Sequence, residues 1–234
     1  MTKRLVILIS GRGSNMAALI DAVRRGDIDA EIVQVISNRP DAAGLERAAA
    51  AGVPASVVDH RAFAGREPFE RALAAAIDAQ DADLVVLAGF MRVLSTAFVA
   101  RYEGRLLNIH PSLLPLYPGL DTHRRALADG VRIHGCTAHF VTAEVDRGPI
   151  VAQGAVPVHD GDDESTLAAR LLPVEHRVLA AAVRWFCQDR LSIAGARVRV
   201  AGAAAETGAL LSPAGDEEQE LRGAPERPNR RQSG

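Results

Sequence analysis

Cysteine is scarce in this chain, and the scarcity excludes two classes of protein at once. Only Cys136 and Cys187 occur, far apart and without a second pair beside them. Two thiols cannot complete a four-ligand zinc site, and they supply no disulfide framework. They read as reduced thiols, so a cytoplasmic location is expected. Charge of one sign is also lacking: 27 Lys+Arg stand against 29 Asp+Glu, a net charge of -2. Neither a polyanion-binding surface nor a basic stripe for nucleic acid is expected. Long apolar runs are missing too. The first one, residues 5–9 (LVILI), is far shorter than the ~20 residues that cross a bilayer, so neither signal peptide nor membrane span is expected.

Several catalytic signatures are absent as well. No G-x-S-x-G elbow occurs, which argues against a serine nucleophile. His110, His123, His134 and His139 show no H-x-x-x-H or H-E-x-x-H spacing, and no metal is expected. On a strand, the five-residue step from His134 to His139 sends them to opposite faces. No internal repeat is present. What remains is ordinary globular composition, 48% apolar and 24% charged.

The pattern alternates strand and helix. Residues 5–9 form a continuous apolar run suited to a parallel strand covered on both faces. A helix follows over 16–25, a strand over 30–37, and an alanine-rich helix opened by Pro40 and Asp41 and stopped at Gly52. PASVVDH gives a short strand, residues 68–79 a helix, and DLVVLAG at 83–89 another strand. Beyond about 105, LLNIH ends in a proline-rich turn, HRRALADG is helical, and GCTAHFVT and PIVAQGAVPV alternate like paired strands. A long helix runs from about 164 to 189, and LSIAGARVRVAG adds one edge strand. The expectation is a doubly wound, mostly parallel α/β sheet with helices on both faces. One domain over 1–202 is expected, with a nucleotide-binding half to about 105 and a catalytic half from 106 to 202. From 203 to 234 the chain is poor in large apolar residues and reads as a disordered tail.

Three stretches could carry chemistry. Gly11-Arg12-Gly13-Ser14-Asn15 joins the first strand to the first helix. Helix-start amides and the dipole favour a phosphate there, although a plain glycine turn with a polar cap fits equally. Met16 stands where a dinucleotide fingerprint needs glycine, and no Lys-Ser/Thr pair makes a P-loop. Asn108 and His110, two apart on a strand, point to one side at the carboxyl edge where such sheets bind ligands. They could equally be a buried polar pair that ties down the turn at Pro111. Asp146, in the turn EVDRGP, either stays solvated or approaches His110 and raises the imidazole pKa.

VILISGRGSN, DLVVLAGFMRVLS, LLNIHPSLLPLYPGLDTHRRAL and HGCTAHFVTAEVDRGPIVAQ together span most of residues 4–190. This set resembles the phosphoribosylglycinamide formyltransferases, the glycinamide ribonucleotide branch of the folate-dependent formyltransferase family. The resemblance implies a Rossmann-like formyltransferase fold. It implies transfer of a formyl group from 10-formyltetrahydrofolate, a co-substrate, to the amine of glycinamide ribonucleotide in purine synthesis. Asn108, His110 and Asp146 would then be catalytic. Gly13, Ser14, Asn15 and Glu175 would hold the ribonucleotide. Arg66, Met91, Arg92, Val93, Leu94 and Asn108 would hold the folate. The implied partners are small molecules only, with a monomer or homodimer as the assembly. Arg12 and Asp121 depart from the usual residues of the family. Three alternatives stay open. A 10-formyltetrahydrofolate hydrolase usually carries an extra domain ahead of the first strand, with which this chain starts. A methionyl-tRNA formyltransferase has an RNA-binding domain. A non-catalytic folate or nucleotide regulator needs a broken catalytic set.

Overall fold

The computed structural model describes residues 2–203 and Ser212. The expected tail thus lies outside the described residues, apart from Ala203 and Ser212.

Strand β1 (Lys3–Ile9) accounts for the architecture. Residues 5–9 are completely buried, and alternate side chains of a strand face opposite ways. Leu5, Ile7 and Ile9 accordingly join one core cluster, while Val6 and Leu8 join another. A strand apolar on both faces must be covered on both, because each buried side chain of this size contributes about 1.5–3 kcal/mol only when removed from water. On the first face lie α1 (Ser14–Arg24), α2 (Gly44–Ala50) and α6 (Glu164–Cys187), which supply Met16, Leu19, Ala48, Leu171 and Leu179. On the second lie α3 (Arg66–Asp78) and α4 (Thr96–Arg101), which supply Phe69, Leu73 and Phe98. The expected doubly wound α/β fold is therefore the observed one.

The described residues form one sheet in the order β3-β2-β1-β4-β5-β6-β7-β9-β8. Strands β2 (Ala30–Ser37), β3 (Ala55–Val57), β4 (Leu84–Leu87) and β5 (Leu106–His110) run parallel to β1. After β5 come helix α5 (Thr122–Ala128) and the antiparallel strands β6 (Ile133–Phe140) and β7 (Ile150–Pro157). From β1 the chain winds outward to β2 and β3, then returns to place β4 on the other side of β1. The strand order reverses between β1 and β4, and open α/β sheets bind ligands at such a crevice.

Three local expectations need correction. The segment after 190 is a hairpin, β8 (Leu191–Ala194) and β9 (Arg197–Val200), not a single edge strand. Gly195 at φ +61° makes a two-residue turn possible there. Helix α2 starts at Gly44 rather than at 40–41, where Arg39 and Asp41 pair across a polar turn at 2.7 Å. Helix α4 has no counterpart in the sequence reading. It is short, and Ser95 caps it by accepting the Phe98 amide at 3.2 Å.

Candidate active site

A cleft of about 450 Å³ opens at the carboxyl ends of β4 and β5. Its lining draws on residues from both sides of residue 105, including Met91, Leu94, Asn108, His110, His139 and Asp146.

The floor is built by β5 and its antiparallel neighbour β6. Asn108 and His110 project from β5 on the side opposite Leu107 and Ile109, which belong to the first core cluster. In the sheet register Asn108 pairs with His139 and His110 with Thr137. The Thr137 hydroxyl donates to the Ser112 carbonyl at 2.7 Å and accepts the Leu114 amide at 3.0 Å, so the turn after His110 is pinned to β6. Asp146 arrives from the β6–β7 turn with φ +54°. A non-glycine residue in that left-handed region is uncommon, and such conformations concentrate at functional sites. Gly148 allows the turn to fold back, because a β-carbon there would lie 1.7 Å from the Phe140 carbonyl oxygen.

The Asp146 carboxylate faces two imidazoles. Its Oδ2 is 3.4 Å from His110 Nδ1, its Oδ1 is 3.6 Å from His139 Nε2, and the Gly119 amide donates to Oδ2 at 2.8 Å. Burial pushes this carboxyl up, but the His139 contact, the Gly119 amide and the two imidazoles outweigh burial and hold it below the ordinary 3.8. Of the two readings open for this aspartate, the approach to His110 is what is found; the side chain is largely buried against His110 and His139.

His110 corrects an expectation. Its imidazole lies below the ordinary value because burial dominates, although the Tyr117 carbonyl and Asp146 both favour the charged form. Asp146 therefore does not outweigh burial at His110. The ring Nε2–H donates to the Tyr117 carbonyl at 2.9 Å, leaving Nδ1 toward Asp146. Tyr117, whose carbonyl meets His110, and Asp121, which lines the cleft, also have positive φ of 54° and 57°.

His139 is the residue that sequence reasoning missed as part of this group. It is buried, and its Nδ1–H donates to the Phe140 carbonyl at 3.0 Å. That fixes the tautomer and leaves Nε2 to accept from the Asn108 amide nitrogen at 3.2 Å. The arrangement sets which way the Asn108 amide points. Register is the missing signal, since nothing in the sequence states that residue 139 sits opposite 108. His134 has the opposite parity, with Cys136, Ala138 and Phe140, and meets His123 at 3.1 Å instead.

The expected folate residues divide. Met91, Arg92, Val93 and Leu94 line the cleft, with Met91 68% and Val93 55% exposed. Arg92 stacks its guanidinium 6.0 Å from the Phe69 ring centre. Arg66 begins α3 and is not among the cleft-lining residues.

The expected ribonucleotide residues form a separate group beside β1. Gly13 precedes α1 at φ +70°, and a β-carbon there would lie 2.9 Å from the Gly44 Cα. Ser14 starts the helix. Asn15 is buried and donates to buried Glu175 of α6 at 2.8 Å, while its own Oδ1 has no partner. Burial raises the Glu175 carboxyl, against the opposing pull of Asn15 and the Arg12 guanidinium. Asp121 precedes α5 without capping it and pairs with Arg124. Among the described residues, no group of three or more His, Cys, Asp or Glu side chains could hold a metal ion.

Comparisons with known proteins bear on the family and the fold. The formyl transferase family profile matches residues 3–183. The phosphoribosylglycinamide formyltransferase of Escherichia coli (strain K12) is 50% identical over 189 residues, covering 81% of this chain and 89% of that protein. A glycinamide ribonucleotide transformylase structure from Symbiobacterium toebii superposes with a TM-score of 0.83 at 49% identity, covering 85% of this chain and 94% of that one. A formyltetrahydrofolate deformylase structure from Burkholderia mallei is less similar: TM-score 0.78 and 32% identity, covering 86% of this chain and 70% of that one. The chain belongs to the formyl transferase family.

Proposed function

We propose that this chain transfers the formyl group of 10-formyltetrahydrofolate to the amino group of N1-(5-phospho-D-ribosyl)glycinamide. The products are formylglycinamide ribonucleotide and tetrahydrofolate, in the cytoplasmic synthesis of purines. The observation that carries the reading is the convergence of Asn108, His110 and Asp146 on the floor of one cleft. The two substrate regions then have separate tasks, each drawing on both halves of the 1–202 domain: the loop at Gly13, Ser14 and Asn15 takes the phosphate and the cleft takes the folate. Glu175 would accept from the amine-bearing substrate, and Arg66 would reach the outer part of the folate.

The reaction is direct acyl transfer. The amine nitrogen attacks the formyl carbon, a C–N bond forms, and the bond from that carbon to the folate nitrogen breaks. Negative charge develops on the formyl oxygen between these steps. Asn108 carries two amide hydrogens; one goes to His139 and the other is free for that oxygen. Losing one such donor typically costs about 10²–10³ in rate.

His110 supplies the second donor through Nε2–H, once substrate takes the place of the Tyr117 carbonyl. An imidazole below its ordinary pKa becomes easier to protonate as the oxyanion forms beside it. Asp146, anionic and opposite Nδ1, favours the same change. The proton lost by the attacking amine passes through water to Asp146 and on to His110 Nδ1, and His110 delivers its Nε2 proton to the departing nitrogen, ending neutral. Alignment of two bound substrates makes a covalent enzyme intermediate unnecessary.

The test is to mix the protein with 10-formyltetrahydrofolate, with and without the glycinamide substrate. Transfer that requires the amine supports the reading. Folate turnover without it indicates a hydrolase, and binding without turnover indicates a regulator.

A further inference from the structure

The stretch 91–94 presents apolar side chains to water, so burial alone does not hold it in place. Met91 and Val93 are more than half exposed. Two buried polar side chains, neither of them in the catalytic group, grip it at its ends.

At one end is Ser10, the residue between β1 and the glycine loop, 6% exposed. Its hydroxyl accepts the Met91 amide at 2.8 Å and donates to the Asn38 Oδ1 at 2.5 Å. Its own amide donates to the Gly89 carbonyl at 3.1 Å. The hydroxyl of this serine thus both donates and accepts, and two of its residue's bonds cross from β1 to the chain after β4. This is the point where the strand order reverses.

At the other end is Glu70 of α3, also 6% exposed. Its Oε1 accepts the Ser95 amide at 2.8 Å, and its Oε2 accepts the Ser95 hydroxyl. The same Ser95 oxygen accepts the Phe98 amide and starts α4. A buried carboxylate costs free energy unless it is hydrogen-bonded, and here both oxygens are spent on one residue at the end of the stretch. Arg92 lies over Phe69, the neighbour of Glu70, which holds the middle of the stretch to the same helix.

We propose that Ser10 and Glu70 are positioning residues for the folate substrate: between them they hold the Met91–Leu94 wall of the cleft in its binding shape. This rests on the reading that the cleft takes folate.

The test combines kinetics with amide hydrogen exchange on Ser10→Ala, Glu70→Leu, Ser95→Ala and the conservative Glu70→Gln. Ser10→Ala and Glu70→Leu are expected to raise the KM for 10-formyltetrahydrofolate about tenfold, with kcat and the KM for the amine substrate little changed. Glu70→Gln keeps an acceptor for the Ser95 amide and is expected to behave as the wild type. Amides of residues 90–96 should exchange faster in Ser10→Ala while the rest of the chain keeps its protection. If Glu70→Leu does not fold, Ser95→Ala takes its place: it removes the hydroxyl half of the same anchor and keeps the amide bond, so the same changes are expected with smaller size. An unchanged folate KM in a variant with faster exchange at 90–96 overturns the proposal, as does an equal rise in both KM values. Absence of formyl transfer by the wild type would instead remove the functional reading on which the proposal stands.

Discussion

Two buried carboxylates, at the two substrate regions, respond to burial in opposite directions. Glu175, beside the glycine loop, has one neutral hydrogen-bond donor, Asn15, and a more distant cation, Arg12; burial wins and its carboxyl rises. Asp146, at the cleft floor, has two imidazoles and the Gly119 amide; together they win and its carboxyl falls. Burial is the largest single influence on both. The difference teaches that the sign is set by the number and charge of partners. It also matches the proposed tasks: an anion stabilised for proton chemistry at the cleft, and a carboxyl that favours its neutral form where a substrate must be held.

The strongest way to break this comparison is to remove the charge at the cleft floor. Asp146→Asn and His110→Ala are expected to cut turnover by about 10²–10⁴-fold in single-turnover assays, while calorimetry still shows binding of the glycinamide substrate. Near-normal turnover in either variant would take the pair out of the chemistry. Glu175→Gln, the matching change at the other site, keeps an acceptor for Asn15. It should raise the KM for the amine substrate by roughly tenfold or less and leave kcat nearly intact. A loss of turnover as deep as that of Asp146→Asn would erase the distinction.

Stability against pH sharpens the same contrast. The Asp146 carboxyl is depressed by folding, so its contribution is present above the unfolded value near 3.8 and is lost as pH falls. The Glu175 carboxyl is raised, so its contribution is present below about 4.5 and is lost as pH climbs through the folded value. Thermal unfolding followed from acid to pH 8 should show the penalty of Asp146→Asn nearly constant above about 4 and shrinking as pH falls below 3.8, and that of Glu175→Gln shrinking as pH climbs above 4.5. Parallel curves for the two variants would contradict the opposite shifts.

A smaller effect belongs to the His123–His134 pair. Burial lowers both, His134 to about 4. The unfolded chain takes up protons first as pH falls below the ordinary 6.5, so the wild-type melting temperature should decline between pH 6.5 and 4. His134→Gln should flatten that decline; an unchanged slope would mean that other groups produce it. The smallest effect is expected at Asp41, whose carboxyl the exposed Arg39 pair lowers to about 2. Solvent screens this pair, so Asp41→Asn should leave the melting temperature unchanged in calorimetry despite the large shift.

Particular residues show how far the sequence could be read. The run at 5–9 named its own environment, because a strand with no polar position has no face for water. Asn108 and His110 were placed on one side by a two-residue period, which is a local property of any strand. Helix α4 escaped notice because six residues carry too little pattern, and its capping Ser95 has meaning only once Glu70 is beside it. His139 enters the sequence only as a histidine without metal-ligand spacing, and only the β5–β6 register brings it to Asn108.

The sequence by itself determined the alternation of elements, the two-faced burial of the central strands, and the family, through motifs spread along most of the chain. These depend on periodicity and on residue types next to one another. Tertiary structure alone decided that Asp146 meets two imidazoles, that burial lowers the His110 imidazole at the cleft, and that Ser10 and Glu70 grip one wall of it. Those facts depend on distances between segments and on exclusion of water, and both arise only when the sheet assembles and its loops close over the strand ends.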